Sequence, residues 1–328
     1  MSNGSIDRRT LLVAGAAAVV SQRVSAQASP TGRIVRVLVA FPAGQATDTV
    51  ARLMAERLQK VTGDHYIVEN KPGQGGSLGL GVLAKSPPDG SVMMLGHMSA
   101  LATNPHLYKS VPYDSLKDFE AISLVGDLPF VLVCHPSLPF SNVQELIQYA
   151  KANPDRLTNA SSGNGTVSHL AMEELKRRAG IKILHVPYKG SGPGLTDVMG
   201  GNVSIALETA NSVQPFVQAG KLRLLGAGTA NRLTGVLNVP TIAEQGFPNF
   251  KAVTWLMALF PAGTPATTVK GMFGAIHTAM RDPAVEQRLL GSGVLPRFSA
   301  SPEEAAAYIR SEYKNWGEVV KRSGIQLD

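Results

Sequence analysis

The stretch Ile34-Val35-Arg36-Val37-Leu38-Val39-Ala40-Phe41-Pro42-Ala43-Gly44-Gln45-Ala46-Thr47-Asp48 runs from a strand through a glycine-bearing loop into a helix. Its first seven residues are mostly β-branched or aliphatic, which suits a buried strand. Beyond Asp48, the residues Val50, Leu53, Met54, Arg57 and Leu58 fall at helical spacing and predict a helix over 48–61. Gly44 permits positive φ and close approach of a ligand to the backbone. Thr47 is placed to cap the helix, with Asp48 in its first turn. Free N–H groups at such a helix start bind anions without any basic side chain.

The same strand–loop–helix unit recurs outward from this stretch. Strands are predicted at 66–69, 92–96, 121–125, 130–134, 157–160, 183–186, 203–207 and 222–227. Helices are predicted at 78–85, 143–152 and 167–179, with others between the later strands. Gly126-Asp127 separates two of the strands. The rhythm implies an α/β fold with mainly parallel sheets covered on both faces. Such sheets bind ligands outside the carboxyl ends of their strands. Ser301, Pro302 and Glu304 form a capping box for a last helix, whose apolar face is Ala305, Ile309, Tyr313, Trp316 and Val320. Trp316 is assigned to packing.

A second loop matches the first. Ser161-Ser162-Gly163-Asn164-Gly165-Thr166-Val167-Ser168-His169 also joins a strand to a helix. Two glycines and several hydroxyls gather there, which favours a carboxylate or phosphate. Thr166 can cap the helix. A protonated His169 in the first turn would oppose the helix dipole, so a neutral ring is expected. His169 serves equally well as a side chain that holds its own loop.

Composition narrows the function classes. The chain has 328 residues, 44% of them hydrophobic and 17% charged, which fits two domains with sizeable cores. Aromatics at 6% are sparse for a protein that stacks nucleic-acid bases. A single cysteine excludes an internal disulfide and a multi-cysteine metal site. Cys134, inside an apolar run, is expected to be an inert core thiol.

The first residues are read as an address. Arg8-Arg9, the apolar run of residues 11–20, and small residues at Ala26 and Ala28 occur in the order of an export signal over 1–26. The paired arginines resemble a twin-arginine signal, with the general secretory route as the alternative. Removing Arg8, Arg9, Arg23 and Asp7 lowers the formal charge from +7 to +5, leaving 28 basic and 23 acidic residues. Part of the basicity therefore belongs to the signal.

Other motifs fail. Gly79-Leu80-Gly81-Val82-Leu83-Ala84 has dinucleotide-like spacing, but Gly/Pro residues separate it from the preceding strand and no acidic partner follows. There is no phosphate-binding Gly-Lys-Ser/Thr loop and no hydrolase elbow. The seven histidines show no pair at metal-ligand spacing, so neither metal nor cofactor is expected.

The chain resembles the Bug-type periplasmic solute-binding proteins of tripartite tricarboxylate transporters. The resemblance rests on Phe41-Pro42-Ala43-Gly44 with Asp48, Val68-Glu69-Asn70-Lys71-Pro72-Gly73, and Pro88-Asp89-Gly90. It continues through Val111-Pro112-Tyr113-Asp114, Ser162-Gly163-Asn164-Gly165-Thr166, His185-Val186-Pro187-Tyr188-Lys189-Gly190 and Pro261-Ala262-Gly263-Thr264-Pro265. It implies a two-domain Venus-flytrap periplasmic binding protein fold, with parallel or mixed sheets flanked by helices. Residues 27–125 with 235–328 would form one domain and 126–234 the other, joined by more than one crossing strand. The ligand would lie in the cleft between them. Mapped onto this sequence, the site would comprise Phe41, Ala43, Gly44, Gln45, Asp48, Ser99, Ser162, Gly163, Gly165, Thr166, His169, Tyr188 and Glu208. Many members of the family have a second glycine where this chain has Gln45, which singles out the adjoining carboxylate subsite. Asp48 would meet an amino or hydroxyl group of the ligand.

The function implied is capture of a small organic acid and its delivery to a membrane permease, without catalysis. Mono-, di- and tricarboxylates, aromatic acids and acidic amino acids all fit. The alternative output is signalling to a membrane sensor kinase. A periplasmic hydrolase using Ser162 or Ser168 with His169 is the enzyme alternative. The expected molecule is an exported periplasmic monomer that does not bind nucleic acid.

Overall fold

A computed structural model gives the fold. It describes residues 1, 32–233, 237–323 and 326. The export segment beyond Met1, its cleavage positions at Ala26 and Ala28, and the expected domain boundary at 234/235 lie outside the described residues.

The chain runs β1 (Ile34–Val39), α1 (Ala46–Thr62), β2 (His65–Asn70), α2 (Ser77–Ala84), β3 (Val92–His97), α3 (Asn104–Leu107) and β4 (Phe119–Cys134). It continues α4 (Val143–Ala152), β5 (Thr158–Ser161), α5 (Val167–Ala179), β6 (Leu184–Pro187), α6 (Ser191–Met199), β7 (Ile205–Thr209) and α7 (Ala210–Gln218). It ends β8 (Arg223–Ala227), β9 (Val253–Pro261), α8 (Ala266–Met280), α9 (Pro283–Gly291), β10 (Leu295–Pro296) and α10 (Pro302–Ser323). The strands form one sheet in the order β2-β1-β3-β9-β4-β7-β5-β6, with β8 and β10 also paired to β4.

The sheet is mixed where the sequence rhythm predicted a mainly parallel one. Parallel pairs lie toward its two ends, β1 with β2 and β3, and β5 with β6 and β7. The centre is antiparallel, because β9 runs against both β3 and β4, and β4 runs against β7. β9 was absent from the predicted strands. Its Val-Thr-Trp-Leu-Met-Ala-Leu-Phe-Pro run is buried on both faces and shows no alternation, so periodicity alone cannot separate it from a helix.

β4 is continuous where two strands were predicted. Gly126 and Asp127 do not break it, because they pair with Leu256 and Trp255 of β9 and with Pro296 and Leu295 of β10. The first part of β4 pairs with β9, and its last residues, Phe130 to Cys134, pair with β7. Around Phe130 the chain is cross-braced. Phe130 N–H donates to the Ala252 carbonyl (3.0 Å), Gly228 N–H to the Phe130 carbonyl (2.8 Å) and Ala252 N–H to the Gly228 carbonyl (2.7 Å).

Helices pack on both faces of this sheet. Val35, Val37 and Val39 of β1 share a core cluster with Val50, Met54 and Leu58 of α1 and with Ile276 and Met280 of α8. Leu38, Met94 and Leu259, which point to the other face, join a second cluster with α2 and α10. α10 has its predicted start, since Ser301 Oγ accepts from Glu304 N–H (3.2 Å). Cys134 is fully buried, and burial pushes its thiol up to about 11, as expected of an inert core residue. Among the described residues, no helix is long and apolar enough to cross a membrane.

Gly228 has no room for a side chain, because a Cβ there would lie 2.7 Å from Ala252 Cβ and 3.2 Å from the Phe130 carbonyl oxygen. Gly228→Val is expected to cost about 1–3 kcal/mol through overpacking of the brace. Urea denaturation would register this as a lowered midpoint at unchanged slope.

Candidate functional site

Four helices begin at one cleft. α1 starts after Gln45, α5 after Thr166, α6 after Gly190 and α7 after Thr209. None of the four has a side chain capping its first turn. Elsewhere, α4, α9 and α10 are capped by Asn142, Asp282 and Ser301, while α2, α3 and α8 also start without a side-chain cap. The cleft is lined by Phe41, Gln45, Ala46, Thr47, His97, Leu128, Phe130, Ser162, Thr166, Ser191, Glu208 and Thr209. No lysine or arginine is among them, so the positive ends of the helices are the lining's source of positive potential.

The first loop is shaped by Asp48. Its carboxylate accepts from Gly44 N–H (2.8 Å), Asn70 Nδ2 (2.9 Å) and Arg52 Nε (2.9 Å). Asn70 Nδ2 also donates to the Phe41 carbonyl (2.8 Å). Burial opposes the charge on Asp48, but Arg52, the Gly44 N–H and Asn70 outweigh it and hold the carboxyl below its usual range. Gly44 takes φ +82°, the left-handed turn its sequence position suggested. α1 starts at Ala46 with Gln45 as its N-cap, so Thr47 does not cap it. Thr47 is instead buried against the cleft.

Gln45 reaches across. Its Nε2 lies where a Cβ on Gly190 would come within 1.8 Å, so a side chain there would push Gln45 aside, and Gly190's φ of +106° itself favours glycine. The space left open to the centre of a water-sized sphere is ≈ 30 Å³, room for about two waters. Nothing larger fits unless Gln45 or its neighbours move.

The second loop is held by histidines. His169 Nδ1 accepts from Gly165 N–H (3.2 Å), and its ring stacks on His185 at 4.1 Å and 10°. His185 Nε2 shares a 2.6 Å hydrogen bond with Ser161 Oγ. Burial and Lys176 lower His169 to about 4, so its ring is neutral, as the helix-dipole argument required. Burial and His169 likewise lower His185 to about 4. Thr166 Oγ1 donates to the Gly163 carbonyl (2.7 Å), closing the loop on itself.

Glu208, one residue before the end of β7, lies at the cleft wall with only 3% of its surface exposed. Ser168 Oγ donates to it (3.0 Å). Burial raises its carboxyl to about 7, against hydrogen bonds from Ser168, the Ser162 side chain and backbone, and the Thr209 backbone. His97 ends β3 on the opposite side. Its Nδ1 accepts from Ser99 N–H (3.2 Å) and its Nε2 meets Thr254 Oγ1 at 3.1 Å, while burial lowers it to about 3.

Of the residues proposed from sequence, Phe41, Gln45, Ser162, Thr166 and Glu208 meet at the cleft. The others lie outside its lining. Ala43 and Gly44 are exposed, and Asp48, Gly163, Gly165 and His169 shape the two loops. Ser99 opens a π-helical turn, Ser99–Thr103, with its hydroxyl buried and unpartnered. Tyr188 donates to Asp197. Leu128, Phe130 and Ser191 were not singled out by the sequence, whereas His97 and Thr209 lie beside Ser99 and Glu208, which the resemblance placed in the wall. Ser191 and Thr209 sit at strand-to-helix junctions, the same signal that marked the first two loops.

His169, Glu173 and His185 place ligand-type atoms within 4.8 Å of one another, a proximity that sequence spacing did not reveal. Each is already engaged, Glu173 with the Lys176 ammonium at 2.5 Å, and the parallel stacking of the rings is wrong for a shared ion. Neither Ser162 nor Ser168 is bonded to His169, so the hydrolase pair does not form. Ser161, which does meet a histidine, is 1% exposed and absent from the cleft wall.

Residues 50–325 match the model of the tripartite tricarboxylate transporter family receptor. The chain is 36% identical to protein BugT of Bordetella pertussis over 323 residues, covering 97% of this chain and 98% of BugT. Among solved structures, R. palustris Rpa4515 with adipate is similar at a TM-score of 0.86 and 32% identity, covering 90% of this chain and 98% of that one. MatC from Rhodopseudomonas palustris with bound malate is similar at 0.81 and 30% identity, covering 88% and 99%.

The three neutral histidines set an acid limit. Each has its folded value below the ordinary 6.5, so the unfolded chain binds more protons as pH falls. Their contribution is complete above about pH 6.5 and is lost on acidification toward pH 4 and below. Glu208, shifted upward, contributes with the opposite sign, lost as pH rises through about 7. Melting temperature is therefore expected to fall between pH 6 and 4. His169→Asn, which keeps an acceptor for Gly165 N–H, should flatten that fall; an equally steep fall would assign the acid limit elsewhere.

Proposed function

The chain belongs to the tripartite tricarboxylate transporter receptor family, a family of solute-binding receptors rather than enzymes, and from that premise we propose that it captures a small organic carboxylate in this cleft and delivers it to a tripartite tricarboxylate-type membrane permease. The observation that carries this is the meeting of four helix starts without capping side chains in a cleft free of lysine and arginine. Adipate and malate in the two similar structures support a carboxylate as the ligand class. Residues 27–125 with 235–328 act as one wall and 126–234 as the other. The division of β4 between β9 and β7 supports this arrangement. Closure of the walls buries the ligand and forms the surface that the permease reads. The protein works in the periplasm after removal of residues 1–26 near Ala26 or Ala28; the order of Arg8-Arg9, apolar run and small residues supports export.

A thermal-shift panel of mono-, di- and tricarboxylates, aromatic acids and amino acids tests this. A ligand at a hundredfold its Kd is expected to stabilise the native state by about 2.7 kcal/mol. No shift with any acid would sink the carboxylate reading. Gln45→Gly removes the side chain that crosses the cleft, so calorimetry is expected to show affinity moving in favour of longer acids.

A further inference from the structure

Outside the cleft lining, the second loop rests on the segment that follows β3. That segment is the π-helical turn Ser99–Thr103, from which α3 continues. Thr103, the last residue of the turn, is fully buried. Its Oγ1 lies 2.8 Å from the Ser99 carbonyl oxygen and 3.2 Å from the Gly165 carbonyl oxygen. A hydroxyl has one hydrogen to donate, so the two carbonyls share it. Beside it, Tyr108 OH donates to the Asn164 carbonyl (3.4 Å), and a Cβ on Gly75 would stand 3.3 Å from the same oxygen. Leu170 of α5 shares a small apolar cluster with Leu107 and Val320, against which Tyr108 and Trp316 pack.

In the two-wall arrangement proposed above, these contacts run from wall to wall. Gly75, Thr103, Leu107 and Tyr108 belong to one wall, and Asn164, Gly165 and Leu170 to the other. The Gly165 carbonyl is part of the peptide that enters Thr166, the N-cap of α5. Holding that carbonyl restrains the N–H groups that open α5 toward the cleft. The turn touches the cleft lining as well, since Ser99 N–H donates to His97 Nδ1 (3.2 Å). Parting of the walls would let water reach the Gly165 carbonyl, while Thr103 keeps Ser99 as its acceptor. Neither group is then left buried without a partner, so the contact can break and re-form at low cost.

Resting on the two-wall reading, we propose that Thr103 is a positioning residue of the second loop: its hydroxyl holds the Gly165 carbonyl across the walls while the cleft is closed and falls back on Ser99 as it opens.

Thiol accessibility tests this without any ligand. Cys134, the one cysteine of the chain, is fully buried with its thiol pushed up to about 11, so it reports only global unfolding. Ser191→Cys adds a reporter inside the cleft, at a position 5% exposed. Its rate of reaction with N-ethylmaleimide follows the fraction of time that the cleft is open. In that parent, Thr103→Val keeps the side-chain shape and removes the donor. It is expected to speed the reaction about three- to tenfold, the ratio that one net hydrogen bond is worth, with Cys134 still unreactive. Thr103→Ser keeps the hydroxyl and should react at the parent rate. An unchanged rate in Thr103→Val, or an equal acceleration in Thr103→Ser, overturns the proposal and leaves the two-wall reading standing. If Cys134 reacts in step with the cleft cysteine in the parent, the cleft opens only by unfolding and the two-wall reading itself falls. Should Thr103→Val fail to fold, Thr103→Ala carries the same outcomes.

Discussion

The first N–H groups of a helix have no partner inside that helix, and four such starts converge on one cleft without a capping side chain. Much else in the molecule follows from keeping these donors together and dry. β1 from one parallel group and β5, β6 and β7 from the other each lead into one of these helix starts beyond their carboxyl ends, with β3 ending beside them at His97. The two loops are stiffened by groups that do not line the cleft, Asp48 with Asn70 and Arg52 on one side and the His169–His185 stack on the other. In the function proposed here, an anion is attracted by oriented backbone dipoles rather than by salt bridges.

The antiparallel centre of the sheet gives this arrangement its frame. β4 is shared, β9 backs its first part and β7 its last residues, and the Phe130–Gly228–Ala252 brace ties neighbouring segments at the changeover. Phe130 belongs both to this brace and to the cleft lining, so the frame and the site meet at one residue. Gln45 and Gly190 form the other contact across the cleft, where the glutamine tip fills the space beside a glycine held at φ +106°.

The strand–loop–helix units around residues 41–48 and 161–169 were legible from local signals: a β-branched run, a glycine and helical spacing. The neutrality of His169 was legible from its place in a helix's first turn. Asp48 was not legible as a loop organiser, because Asn70, which fixes it, lies on another strand and only tertiary structure brings the two together. Thr47 was taken as the N-cap two positions after the actual one, Gln45, because α1 begins without any side-chain cap and the usual N-cap residue types gave no guidance. β9 and the continuity of β4 were hidden for a different reason. A strand buried on both faces loses its alternation, and Gly126-Asp127 looks like a turn until partners on both sides hold it extended. His97 carries no local signature and is found only at the end of a fully buried strand.

A crystal structure of the protein with a carboxylate that raises its melting temperature tests the central claim most directly. The account predicts ligand carboxylate oxygens roughly 2.7–3.2 Å from first-turn N–H groups of the cleft helices, with no lysine or arginine in contact. A carboxylate held by a basic side chain, or bound outside this cleft, would contradict it.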